Sequence, residues 1–438
     1  MHAIRAAQAF DGERFLPGGA TVLVDGDRIA GVEPFDHVIP EGVAVLEHPG
    51  TVLPGLIDCH THLVADCTIG GLERAGAMSG DMVDAVVVAS LRMHLAAGVT
   101  TVRDLGDVAY RSLAFRHVAG LPRVVAAGPP ITTPGGHCHF LGGAVSSTAE
   151  ADLRAAVDQR VERGVDVVKV MASGGFATPD TDQLGAQFTV DQLSVLVDQA
   201  HDAGLPLVAH AHSLTAMRHA LAAGVDGIEH FTGLSKELGG HIDDEVLDEA
   251  ARQGTYVDLT MGNDRSLHAL MPEPPPHLAA LMARFGVSSF DEFYAGRIGQ
   301  LAQLRERGVR VVTGVDSGMA PAKRHGNVWR AVTEMFEAGY DTAAALAAAT
   351  SVAARACGLD GTTGRLAPGC AADLVVVDGD LTAGVDALGT PRTVLVRGRR
   401  ADLPEEVSPG VSDPRRDHPS PRQRRTRATQ DLQDNKLG

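Results

Sequence analysis

Between residues 55 and 316, short runs of Val, Ile and Leu alternate with longer stretches whose apolar residues recur every three or four positions. The short runs are GLIDCH (55–60), GVTTVRD (98–104), RVVAAG (123–128), VDVVKVM (165–171), LPLVAH (205–210), VDGIEH (225–230), TYVDLT (255–260) and VRVVTGVD (309–316). Apolar runs of this kind read as strands covered on both faces, the signature of a parallel sheet. The gaps carry a helical period, as in VDAVVVASLRMHLAAG (83–98), TVDQLSVLVDQAHDAG (189–204) and SLTAMRHALAAG (213–224). Eight strands with crossover helices predict an α/β fold, a (β/α)8 TIM barrel over residues 53–359. An open doubly wound sheet would call for a Gly-rich phosphate loop after its first strand, and none follows residue 60.

The flanks have a different pattern. TVLVDGDRIAGV (21–32) reads as strand, Asp-Gly turn, strand, and similar pieces recur in GRLAPGCAADLVVVDGD (364–380) and TVLVRGRR (393–400). A hairpin buries little alone, so one small β-sandwich domain built from 1–52 and 360–402 is the economical expectation. The gap 261–308, which contains PEPPP (272–276), predicts a loop and helices over the barrel mouth. Residues 403–438 are polar and hold six arginines without aromatics, which predicts a solvated, disordered tail and not a nucleic-acid-binding one.

Composition narrows the function. With 38 basic and 55 acidic residues among 438, the net charge of −17 argues against a nucleic-acid or anionic-membrane partner. No run of 18 apolar residues exists to span a bilayer, and the N-terminus lacks the apolar core of a secretory signal. Five cysteines without framework spacing fit reduced thiols, so a cytoplasmic enzyme is expected.

The chemistry gathers where the strands end. In His60-Thr61-His62, strand alternation puts both imidazoles on one face, able to meet one ion. A lone His-x-His is commonly two packed imidazoles; what gives this one weight is the company. Lys169, His210, His230 and Asp316 also stand at the C-terminal ends of predicted strands, where barrel active sites assemble. Buried without partners, such groups would cost several kcal/mol each, and a bound cation removes that cost. Lys169 is the odd member: among valines it should be neutral or paired, and a neutral amine that captures carbon dioxide becomes a carbamate able to bridge two cations. A Ser-His-Asp mechanism finds no Gly-x-Ser-x-Gly elbow.

PGLIDCHTHL, the strand lysine, VAHAHS, GIEHFTG and TGVDSG together resemble the amidohydrolase superfamily. RHGNVWRAVTEMFEAGYDTAAALAAATSVAARACGL and GRLAPGCAADLVVVDGD are similar to its imidazolonepropionase-like and prolidase branch. The resemblance implies two divalent ions, zinc by preference, with Mn2+, Fe2+ or Co2+ compatible. It places His60, His62 and Asp316 on one ion, His210 and His230 on the other, and carboxylated Lys169 between; His212, on the same strand face as His210, is the rival ligand. It further implies that a metal-bridging hydroxide attacks an amide carbonyl while Asp316 acts as base and then acid. For substrate contact it points to His137, with His139, Gly174, Phe231, Arg324 and His325 as further candidates; Lys323 reads as solvated. A small-molecule substrate and a homo-oligomer are expected. The substrate is read as a dipeptide or N-acyl amino acid with a free carboxylate. A cyclic amide or imidazolone is the second choice, and a small-molecule-binding pseudoenzyme the third.

Overall fold

The computed structural model of the protein describes residues 1–178, 180–236, 241–270, 273, 279–280, 282–283 and 287–402. The Pro-rich stretch, apart from Glu273, and residues 403–438 lie outside the described residues, and with them the expectation of a disordered tail.

The strands, in chain order, are β1 (His2–Phe10), β2 (Phe15–Leu16), β3 (Ala20–Asp25), β4 (Arg28–Pro34), β5 (Ala44–Pro54), β6 (Leu56–Thr61), β7 (Val99–Asp104), β8 (Arg123–Ala126), β9 (Val168–Met171), β10 (Leu207–Ser213), β11 (Gly227–Leu234), β12 (Tyr256–Asp258), β13 (Arg310–Val311), β14 (Leu374–Val377), β15 (Thr393–Val396) and β16 (Arg399–Arg400). Strands β6 to β13 are the eight barrel strands. β6, β7 and β8 form one parallel set and β9 to β13 another. Parallel bridges Ile131↔Val170 and Thr61↔Ser317 join the two sets at both seams and close the ring. The protein is therefore a (β/α)8 barrel.

The last barrel strand is shorter than its apolar run, for a physical reason. Val312 N still donates to Val257 O on β12, but Thr313 N turns to Ala348 O and the next two amides are taken by buried carboxylates: Gly314 N donates to Asp258 Oδ1 (3.1 Å) and Val315 N to Asp58 Oδ1 (3.1 Å). Asp316 N then returns to His60 O at 2.8 Å, which stitches the end of this run to the first barrel strand. Helices form where the period placed them, at Gly80–Ala96, Val190–Asp202 and Leu214–Ala223. The second carries a capping box, Thr189 with Gln192.

Strands from both ends of the described chain share one eight-stranded sheet, ordered β16-β15-β14-β5-β1-β3-β4 with β2 on β1. Ile4, Val22, Ile29, Val52, Leu374 and Leu395 fill its core. Among the described residues, no helix is long and apolar enough to cross a membrane.

Candidate metal centre

β6 delivers His60 and, one residue beyond its end, His62. Their Nε2 atoms converge on Asp316 Oδ1, at 3.5 and 3.1 Å. The outward nitrogens are fixed from behind: His60 Nδ1 lies 2.8 Å from Glu229 Oε2, and His62 Nδ1 donates to Gly106 O at 2.8 Å. Because a carbonyl only accepts, His62 keeps a proton on Nδ1; its Nε2 faces Asp316, whose carboxylate raises the imidazole's pKa against the effect of burial, and this is the nitrogen an ion would take. Glu229 is anchored by Arg103, whose Nη2 donates to Oε1 at 2.9 Å and whose Nε donates to Cys59 O. Burial works against the Glu229 charge, but the Arg103 guanidinium and His60 outweigh it and hold the carboxyl well below its ordinary range.

A second group lies beside the first. His210, His212 and His230 are buried and present ring nitrogens within 4.8 Å of one another. His210 Nε2 donates to Gly174 O at 3.1 Å and leaves Nδ1 free. His212 and His230 place Nδ1 on Thr232 Oγ1 (2.8 Å) and Thr260 Oγ1 (3.0 Å), leaving Nε2. Ring centroids 5.2 Å apart link His60 to His230. Lys169, 1 % exposed, makes no hydrogen bond through Nζ among the described residues. Burial pulls its ammonium down to about 8, against the attraction of Glu229. Burial followed by the Lys169 charge lowers His60 to about 4, and both also depress His210 and His230. For His212 the charges that count after burial are His137, Arg297, Asp316 and Lys323. These imidazoles are thus neutral at pH 7, the state in which they ligate metal.

The backbone is strained where it aims these groups. His230, Phe231, Thr260 and Asp316 have φ of 68°, 48°, 51° and 60°, left-handed conformations that cost about 1–3 kcal/mol each outside glycine. The helix Phe290–Glu306 supports one such bend: Arg297 donates to the carbonyls of His230, Phe231 and Leu259.

The remaining candidates divide. His137 packs against His210, centroids 4.5 Å apart, and a Cβ on Gly175 would stand 2.3 Å from its Nε2, so only glycine leaves that ring its place. Gly174 contributes the carbonyl that fixes His210. Phe231 is fully buried and reaches its neighbours through its carbonyl. Four expectations change. His139 is exposed and bonds its own turn at Gly136 O; Arg324 is exposed on the surface. Both ring nitrogens of His325 are occupied behind Thr61, by His94 and Ala65 O, so it faces the barrel wall and not a ligand. Lys323 turns inward to Asp316 instead of into solvent. Sequence reasoning passed over Glu229, Arg103 and Asp258, although each is a charge inside an apolar strand, the same signal that marked Lys169.

Residues 51–401 match the Amidohydrolase family, and the chain belongs to it. It is 29% identical to an uncharacterized Mycobacterium tuberculosis protein over 352 residues, 80% of this chain and 85% of that one. It is 28% identical to the imidazolonepropionase of Ectopseudomonas mendocina over 315 residues, 65% of this chain and 73% of the relative. Among solved structures, a Xaa-Pro dipeptidase with bound methionine superposes with TM-score 0.78 at 24% identity, covering 91% of this chain and 99% of that one. Aspergillus niger ochratoxinase follows with TM-score 0.73 at 22% identity, covering 92% and 96%. At those identities the structural likeness speaks for the barrel fold. The family match makes this chain a hydrolytic enzyme acting on C–N bonds.

Proposed function

We propose that the enzyme hydrolyses the amide bond of a small carboxylate-bearing substrate, a dipeptide or N-acyl amino acid, using two divalent ions with zinc preferred. The observation that carries this reading is Lys169 Nζ, buried and without a hydrogen-bond partner among the described residues, on the strand paired with the one that carries His210. An orphaned amine there is costly, and its carboxylation by carbon dioxide gives an anion for two cations to satisfy.

His60, His62 and Asp316 would hold one ion, His210 through Nδ1 and His230 through Nε2 the other, and carboxylated Lys169 both. His210 is preferred to His212 because it stands where the family motif puts the ligand, although both rings lie within reach of His230. When bound, such ions supply an activated water and a Lewis acid for the scissile carbonyl. Asp316, kept ionised by Lys323 and the two imidazoles despite its burial, takes the proton of the attacking water and returns it to the leaving amine. His137, lowered by burial to about 3, is neutral and donates to the substrate carbonyl. Glu229 and Arg103 keep His60 in register.

The test is metal analysis with a substrate panel. Close to two ions per chain, activity lost on chelation, and turnover of Xaa-Pro, Xaa-Arg or N-acyl amino acids support the proposal. Turnover of cyclic imides or imidazolones alone would replace the linear amide with a ring, the reading favoured by the likeness to imidazolonepropionase. One ion or none per chain would defeat the dinuclear assignment.

A further inference from the structure

The two oxygens of Asp316 have different neighbours. Oδ1 faces His60 and His62, whereas Oδ2 lies 3.3 Å from Lys323 Nζ. The same ammonium donates to Val315 O at 3.0 Å and Thr260 O at 3.3 Å. Three acceptors match its three N–H donors, so its bonding capacity is spent inside the protein. Thr260 and Asp316, the residue after Val315, are both left-handed, at φ 51° and 60°. Lys323 therefore ties together the two bends that aim Asp316, and it also takes the carboxylate oxygen the imidazoles do not face. On the open side of the cluster the Lys323 and Asp316 side chains are 19% and 15% exposed, so water competes for that oxygen when the lysine is gone.

We infer that Lys323 is a positioning residue, an internal counter-ion that keeps Asp316 presenting Oδ1 alone to an ion shared with His60 and His62. A carboxylate freed from that hold turns, and either ligates through both oxygens or swings toward solvent. The inference rests on the proposal that this triad holds an ion, and the experiment separates the two.

Binding of Co2+ to the metal-free full-length protein is measured by calorimetry and by the visible absorption of the bound ion. The proteins compared are the wild type, Lys323→Met, Lys323→Arg, Asp316→Asn and the Lys323→Met/Asp316→Asn double variant. The expected result is a loss of about 10–100-fold in affinity for Lys323→Met, the size usual for partners of metal ligands, with a changed cobalt spectrum. Lys323→Arg, which keeps charge and donors, recovers most of it. In the Asp316→Asn background Lys323→Met costs nothing more, because the carboxylate it held is gone. Should Lys323→Met fail to fold, Lys323→Gln, which keeps donors and most of the stem, gives the same readout. Wild-type affinity and spectrum in the Lys323 variants, or an equal loss in both backgrounds, overturns the inference alone. A wild type that binds no cobalt overturns the metal triad and the inference with it.

Discussion

Lys169 is held by burial near the point where its amine gives up its proton. Below about pH 8 the ammonium predominates, and it can neither react with carbon dioxide nor approach a cation; above that value the free amine prevails. Reconstitution of metal-free enzyme with Zn2+ at constant dissolved carbon dioxide should therefore speed up as pH rises through 8, by roughly tenfold between pH 7 and 9, as followed by recovery of turnover. Lys169→Ala should bind fewer than two ions and lose at least about 100-fold in kcat, read by metal analysis beside initial rates. His210→Ala should lose an ion, whereas His212→Ala should keep both and change KM; the reverse pattern would make His212 the ligand. The strand-end cluster was legible because each of its side chains interrupts a run of apolar residues at the same end of a strand. Lys323 and His325 were not, because the loop that carries them has no period, and inward or outward orientation there is decided by contacts more than 50 residues away, such as Lys323 with Thr260 and His325 with His94.

The helix Phe290–Glu306 illustrates what an element adds to a site it does not enter. Its apolar period marks a helix, but nothing in the sequence says that Arg297 will dock on three strand-end carbonyls. Lysine cannot copy that forked geometry. Arg297→Leu should leave three buried acceptors without a donor and destabilise the fold by about 3 kcal/mol, seen as a lower urea midpoint, with weakened metal binding through His230. Arg297→Lys should rescue little. The shortening of β13 makes a related point: its apolar run gave the position of the strand, while its end is set by Asp58 and Asp258, which lie 257 and 56 positions away from the amides they capture.

Across the molecule, stability and acidity are coupled through carboxyls that burial has raised. Glu334 accepts from Gly262 N and Tyr294 Oη and faces Arg265 and Glu337; burial still pushes it up to about 7. The folded state thus keeps a proton that the unfolded chain releases from about pH 4.5 upward. The contribution of Glu334 to stability is complete below that pH and is lost as pH rises toward 7, by about 3 kcal/mol. Glu334→Gln should flatten this part of the pH–stability curve in urea titrations; an unchanged slope would assign it to other groups. The barrel was legible from eight apolar runs, and the pairing of the chain ends from matching hairpin patterns. The closure seams were not, because they rest on isolated bridges at Ile131 and Thr61 that no periodicity announces.

β5 and β6 are one extended run interrupted by Gly55, where a Cβ would stand 2.0 Å from Thr100 Oγ1. Gly55 N donates at 2.8 Å to the carbonyl of Asp373, the residue that leads into β14 in the sheet of the chain ends, and five residues later the same run presents His60. Whatever stiffens the imidazole therefore damps the opening of that amide. Deuterium uptake at Gly55 should slow when zinc is added, and so report occupancy of the barrel mouth from its far end.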